Sequence, residues 1–156
     1  MAQESISPKD LSDFLLFSLL VPEECHIIAP LFREQSFATG ETLIRQDDTS
    51  THLFLITSGI IEVRLPLIAP LASTSVAKFG PKECVGELTL AKIARRAASA
   101  VAHVESRCWV VDTVKLIELF EQHPKIGYHV YRKLSEIITE RLIATNMMLR
   151  NSESHL

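Results

Sequence analysis

The sequence predicts a mainly β domain, a sandwich or jelly-roll barrel with helices at both ends, and three observations carry that prediction. Residues 36–111 form short β-branched and aromatic runs, broken at close spacing by turn residues. On either side of that stretch, apolar residues recur at helical spacing instead. The chain has 156 residues, 47% hydrophobic and 22% charged, which suits one domain with a proper core and argues against disorder.

The N-terminal segment, 1–35, reads as helical. Ser7-Pro8-Lys9-Asp10 puts a capping hydroxyl before a proline at the first helical position, with a carboxylate in the first turn. Leu11, Phe14, Leu15 and Leu19 then share a face. Pro22-Glu23-Glu24 restarts a short helix carrying Ile27, Ile28, Leu31 and Phe32, with a kink expected at Pro30. In the β region, 36–111, Thr39-Gly40-Glu41 is a turn before a strand at Thr42–Arg45, and Gln46–Ser50 is a polar loop. His52–Ile56 and Ile60–Leu65 read as a strand pair hinged at Ser58-Gly59. Leu65–Ser75, with two prolines and several small residues, is expected to be a connecting loop. Ser99–Val104 and Arg107–Val111 read as a second hairpin turning at Glu105-Ser106. Helical texture returns over 112–150. One helix opens at Asp112 or Thr113 and stops before Pro124. A long helix at about 125–150 carries Val130, Leu134, Ile137, Ile138, Leu142 and Met148 on a broad stripe. Self-pairing into a dimer would cover that stripe, and packing back on the barrel is the competing arrangement. The tail, 151–156, is polar and expected to fray.

Charge and cysteine content exclude several classes. A net charge of -3 offers no general attraction for nucleic acid or acidic membranes. Cys25, Cys84 and Cys108 are odd in number and far apart, so they read as buried free thiols in a reducing compartment rather than a disulfide or metal framework. The apolar run Leu15–Val21 follows Asp10 and Asp13 instead of a basic stretch and is far shorter than the ~20 residues of a membrane span. The expected location is the cytoplasm. His52, His103, His123 and His129 are scattered without ligand spacing, and no nucleophile elbow, Walker-type loop or acid/base pair stands out; Glu62 and Asp112 read as structural or exposed.

The chemistry concentrates in 86–99, Gly86-Glu87-Leu88-Thr89-Leu90-Ala91-Lys92-Ile93-Ala94-Arg95-Arg96-Ala97-Ala98-Ser99. Glycine lets backbone approach a ligand closely. Glu87 can accept from a ribose hydroxyl, and Leu88–Ile93 can form a short helix with outward N-terminal amides. Arg96 supplies a permanently charged planar fork for phosphate, and the small Ala97-Ala98 lets neighbouring amides join in. Together these suit a cyclic phosphodiester on a ribose.

This segment resembles the phosphate-binding cassette of the cyclic-nucleotide-binding domain family, Gly-Glu-Leu-Ala-Leu, a short spacer, then Pro-Arg-Ala-Ala-Thr. It matches at Gly86, Glu87, Leu88, Leu90, Arg96, Ala97, Ala98 and, conservatively, Ser99. Upstream, Phe37-Ala38-Thr39-Gly40-Glu41, Gln46-x-Asp48, Gly59 and Phe79-Gly80-Pro81 fit the same pattern, so the resemblance covers about Leu16 to Met148. It implies an antiparallel β-roll (a jelly-roll, or double-stranded β-helix) with N-terminal helices and two C-terminal ones, the last long. It also implies that Glu87 bonds the ribose 2′-hydroxyl, that Arg96 takes the exocyclic phosphate oxygens, and that amides near Gly86 and Ala97-Ala98 complete the cradle. Ala97 resembles cAMP-selective members, where cGMP-preferring ones often carry threonine. Arg141-Leu142-x-x-Thr145-Asn146 looks like the dimer helix of catabolite-activator relatives, in which polar side chains at the positions of Thr145 and Asn146 cap the adenine amino group, one from each subunit. Arg95 replaces the usual proline, Asp47 the usual glycine and Thr51 a frequent aspartate; none of these removes a ligand-contacting group.

The expected function is therefore that of a cAMP sensor, with cGMP the next candidate ligand, no metal or further cofactor, and no catalysis. It would dimerise through the long helix and signal to an unidentified partner protein, without binding DNA by itself or entering a membrane. Nucleotide would order the cassette and draw the C-terminal helices toward the barrel. Met1 and the polar tail favour a complete short bacterial protein over a fragment of a regulator, channel or kinase. The alternative is the same fold without ligand, serving as a dimerising interaction module.

Overall fold

The computed structural model describes residues 6–66 and 73–153. Two short helices, α1 (Pro8–Leu11) and α2 (Pro22–Ile28), are followed by 3-10 turns at Leu15–Phe17 and Ala29–Leu31, the second directly continuous with α2. Strands β1 (Arg33–Phe37), β2 (Thr42–Ile44), β3 (His52–Ser58), β4 (Ile61–Pro66), β5 (Ser73–Phe79) and β6 (Cys84–Val85) follow, then a single helical turn, α3 (Leu88–Ala91). After β7 (Ser99–Ala102) and β8 (Ser106–Asp112) come α4 (Thr113–Gln122) and the 30-residue α5 (Pro124–Glu153). The strands make two four-stranded antiparallel sheets, ordered β1-β8-β3-β6 and β2-β7-β4-β5, facing each other as the β-roll that the sequence implies.

Neither expected hairpin is a hairpin. β3 and β4 belong to opposite sheets, and so do β7 and β8, so both turns carry the chain round the edge of the roll. The two turns seat on each other. Gly59 has φ +94°, and a Cβ there would lie 2.6 Å from the Ser106 Cα. The buried Ser106 hydroxyl accepts from the Ile60 N–H at 3.2 Å and donates to the Val104 carbonyl at 2.8 Å. Ser106 thus begins β8 and is not part of the turn.

The expected loop at 65–75 is also corrected at both ends. β5 pairs with β4 from Ile61↔Phe79 to Pro66↔Ser73, and the part of that loop at 67–72 lies outside the described residues. β5 bonds only β4, and Thr74, Ser75, Val76 and Lys78 are exposed, so it is an edge strand with no buried face to read. Arg33–Gln35, assigned on sequence to the helical segment, start β1, whose only fully buried residue is Phe37. Residues 151–153, assigned to the tail, are the last turn of α5.

At the N-terminus the one expected helix breaks after Leu11. Ser7 occupies the cap position, though its hydroxyl makes no capping bond. The backbone extends at Phe14 (ψ 131°), which turns Phe14, Leu16 and Phe17 inward and leaves Leu15 out. Glu24 in α2 reaches back to the Val21 N–H at 3.1 Å, which satisfies a buried carboxylate.

β3 separates two cores. Leu53 and Leu55 pack with α1, α2, α4 and α5, while Phe54 and Ile56 fill the roll with Phe37, Ile61, Val85 and Val110. Burial on both faces explains its unbroken apolar sequence. α4 is capped by Asp112, whose carboxylate accepts from the Val114 N–H at 3.0 Å and the Thr51 hydroxyl at 2.8 Å. The first half of α5 buries Ile126, Val130, Leu134 and Ile137 against the body. Its second half leaves Leu142, Ile143, Met147, Met148 and Leu149 exposed, so within one chain the stripe is only half covered.

Candidate functional site

The ligand-sized space opens between the cassette, the outer sheet and the far half of α5. It is a cavity of about 1040 Å³, at the upper edge of the ~300–1,000 Å³ of small-molecule sites. Gly86, Glu87, Leu88, Arg96, Ala97, Ala98, Ser99 and Thr145 all line it. Asn146, on the neighbouring face of α5, does not; it is exposed away from the cavity of its own chain.

Local sequence explains how these side chains are held. β6 ends at Val85, and Gly86 turns the chain with φ +86°. A Cβ at Gly86 would sit 2.6 Å from the His52 carbonyl oxygen and 3.2 Å from Arg96 Nη1, so the missing side chain makes room for the guanidinium. Gly86 O accepts from Arg96 Nη1 at 3.2 Å and from the Thr89 hydroxyl at 2.8 Å. Arg96 Nη2 donates to His52 O at 2.6 Å and Nε to Ser50 Oγ at 3.4 Å. The Arg96 backbone interlocks with the 46–50 loop through Arg96 N to Asp48 O (2.9 Å) and Asp47 N to Arg96 O (2.8 Å). Asp47 takes φ 64°, the left-handed conformation that aspartate tolerates where the family pattern has glycine. The Ser99 hydroxyl accepts from the Gln46 N–H at 2.9 Å. Among the described residues, the N–H groups of Ala97 and Ala98 donate to no protein acceptor.

Arg96 is 7% exposed, and this burial pushes its pKa below the ordinary guanidinium value, against the pull of Glu87 and Asp48. It bonds three protein acceptors, one from each nitrogen, which leaves two of the five N–H donors of a guanidinium unused. Glu87, 5% exposed, lines the same cavity. One of its oxygens pairs with Arg141 of α5; the other has no protein partner among the described residues.

Arg141 is the site residue that sequence reasoning left out of the binding set. Besides Glu87, its guanidinium donates to Cys84 O at 3.0 Å and lies 4.4 Å from the centre of the Phe79 ring. Two signals pointed to it. A carboxylate buried in the cassette needs a cation, and helical spacing puts Arg141 on the face of Ile137, Thr145 and Met148. Cys84, beneath this pair, has its thiol pushed up to about 12 by burial and the Glu87 charge. Val63, Leu65, Val76, Met148 and Leu149 give the wall an apolar side. Glu62, outside the cavity, is buried and paired with Arg64 and His103, a structural cluster.

Known proteins share the sequence pattern and the fold. The cyclic AMP receptor protein of Thermus thermophilus is 26% identical over 80% of this chain. The cAMP-dependent protein kinase regulatory subunit of Yarrowia lipolytica is 30% identical over 68% of it. The chain spans 57% and 27% of the lengths of these two relatives. The crystal structure of a cyclic nucleotide-binding domain from Methylobacillus flagellatus superposes with a TM-score of 0.79 at 20% identity, covering 92% of this chain and 84% of the other. No helix among the described residues is long and apolar enough to cross a membrane. The family model for the cyclic nucleotide-binding domain matches residues 34–123, from β1 through the cassette to the end of α4, and the chain belongs to that family of regulatory ligand-binding domains.

Proposed function

We propose that the chain is a sensor of cAMP, that it signals by rearranging α5 toward a partner protein, and that it catalyses nothing itself. The observation that carries this reading is the buried Arg96 with two unused N–H donors, on one cavity wall with the unpaired oxygen of Glu87. A cyclic phosphate matches the first and a ribose hydroxyl the second. The Ala97 and Ala98 amides add donors beside the phosphate.

Thr145 supports cAMP over cGMP. Its hydroxyl proton goes to Arg141 O at 2.9 Å, so its oxygen is left as an acceptor. It suits the amino group of adenine and not the carbonyl of guanine. The uncovered half of α5 supports pairing with a second copy, and Asn146 would then reach the cavity of that copy. Three free buried thiols suit the cytoplasm.

Calorimetry with cAMP and cGMP on the wild type and on Arg96→Ala tests the reading. Two charge-assisted hydrogen bonds at ~1.5–3 kcal/mol each make the variant about 10²–10⁴-fold weaker. Comparable heats for both proteins would remove Arg96 from the site. Absence of binding by the wild type, with dimerisation intact, would favour the ligand-free interaction module.

A further inference from the structure

The charges on the cavity wall are unevenly matched. Lys92, Arg95, Arg96 and Arg141 line it, against the single carboxylate of Glu87. Arg141 is paired with that carboxylate, and Arg96 is buried and held by protein acceptors. Lys92 and Arg95 differ from both. They lie in the stretch between the end of α3 and Arg96, they are exposed, and among the described residues neither side chain has an ion-pair or hydrogen-bond partner. They are a local excess of positive charge in a chain of net charge -3.

We propose that Lys92 and Arg95 form an outer anion-capture lip, which draws the ligand's phosphate into the cavity before Arg96 takes it. The proposal rests on the reading of the site as one for an anionic nucleotide. Arg96 is poorly placed to attract a ligand from a distance, because protein dipoles surround it and little of it meets solvent. Lys92 and Arg95 remain hydrated, so their field extends into solvent over a Debye length of ~10 Å at 0.1 M salt. Their long stems let the charges follow an incoming anion. Charges of this kind act on the rate of association and hardly on dissociation, because they make no desolvated contact in the final complex. Two unit charges about 9 Å from a phosphate in water together change the association rate about fourfold at low salt.

The test is stopped-flow binding of cAMP carrying a fluorophore at the adenine 8 position, to the wild type, Lys92→Gln/Arg95→Gln and Lys92→Glu/Arg95→Glu. At about 0.02 M salt the neutral variant should associate about fourfold more slowly and the reversed one about sixteenfold, with dissociation unchanged; by about 0.5 M salt the three should converge. A wild-type transient with the same association rate in both variants overturns the lip and leaves the nucleotide site standing. So does a loss confined to the dissociation rate. No transient in any of the three proteins overturns the lip and the nucleotide reading together. Unchanged melting temperatures of the variants, expected for exposed side chains, show that the fold is not the cause.

Discussion

Replacing Arg141 with methionine tests whether α5 is fastened to the cassette by the Glu87 ion pair. Methionine keeps the length and apolar stem of the side chain and removes three contacts: the pair with Glu87, the 3.0 Å bond to Cys84 O, and the stacking over Phe79. Breaking a fully buried pair costs about 3–5 kcal/mol, because the remaining charge is left desolvated. The Glu87 side chain is 7% exposed but that of Arg141 is 32% exposed, so water screens the pair and about half that figure applies. The stacking adds about 0.5–1 kcal/mol, for a total of about 2–3.5 kcal/mol. At ~2–4 °C per kcal/mol for a chain of this size, the melting temperature should fall by about 4–14 °C. Circular dichroism at fixed protein concentration reads this, since any self-association makes Tm concentration-dependent. Glu87→Gln in the methionine background should recover about half the loss, because the carboxylate is then no longer charged and unpaired. A single variant that melts within about 1 °C of the wild type, with no recovery in the double variant, would show the pair to be a solvated surface contact.

Three further outcomes follow from other parts of the site. Gly86→Ala places a Cβ at φ +86° against the His52 carbonyl and the Arg96 guanidinium; the conformation alone costs about 1–2 kcal/mol, and calorimetry should show cAMP affinity falling as Arg96 is displaced. Asp112→Ala removes the α4 cap and should cost about 1 kcal/mol at neutral pH, measured by denaturant unfolding. Burial would raise the Asp112 pKa, but the bonds from Thr51 and Val114 N, with the positive charge of His52 and Lys115, hold it below the ordinary carboxylate value. Stabilisation from a lowered folded pKa is present above the unfolded value of ~3.9 and lost as the pH falls below it. The deficit of the alanine variant should therefore shrink below about pH 4; a constant deficit down to pH 2 would refute the linkage. Tyr131→Phe removes the 2.7 Å bond from the phenol to Leu90 O and keeps the ring against Phe120. Amide exchange in 88–92 should quicken about three- to tenfold, in line with a bond of about 0.5–1.5 kcal/mol; unchanged exchange would mean that the bond does not hold α3.

The cassette was legible because its parts are contiguous: Gly86, Glu87 and Arg96 reach one cavity without help from distant topology. The β3 strand and the start of α4 were legible for similar local reasons, an apolar run and an aspartate cap. What the sequence left hidden was partnership. Ser58-Gly59 and Glu105-Ser106 encode bends, but a bend does not say whether the next strand pairs with the last or crosses to the other sheet. That depends on the contact of Gly59 with Ser106 and the bond from the Ile60 N–H to the Ser106 hydroxyl, the latter between residues 46 positions apart. β5 has an exposed, polar texture that resembles a loop until β4 is beside it. Arg141 is 54 residues from its carboxylate, and the sequence showed it as part of a helix motif with Thr145 and Asn146 but not what it would pair with.

The two fastenings of α5 have a mechanical consequence when taken together. Tyr131 holds the end of α3 and Arg141 holds Glu87 and the Cys84 carbonyl, ten residues or about 15 Å apart along the helix. Between them Leu134 and Ile137 are buried, so this length of α5 must move with the cassette or break both bonds. Beyond Arg141 the helix has no core beneath it, yet Thr145, Met148, Leu149 and Ser152 still face the cavity. A ligand that touches only the cassette wall would bind equally well whatever the far half of the helix does, and could shift nothing. A purine reaching Met148 and Leu149 while its phosphate sits at Arg96 would bind the docked helix better than the undocked one. Under the proposed sensor reading, that difference in affinity would be the whole of the signal available to a partner. On that reading the apolar wall of the cavity would serve signalling alongside the charged one. Polar substitution at Met148 should weaken the response of the helix to ligand more than it weakens phosphate binding, a separation visible by comparing calorimetric affinity with amide exchange in α5.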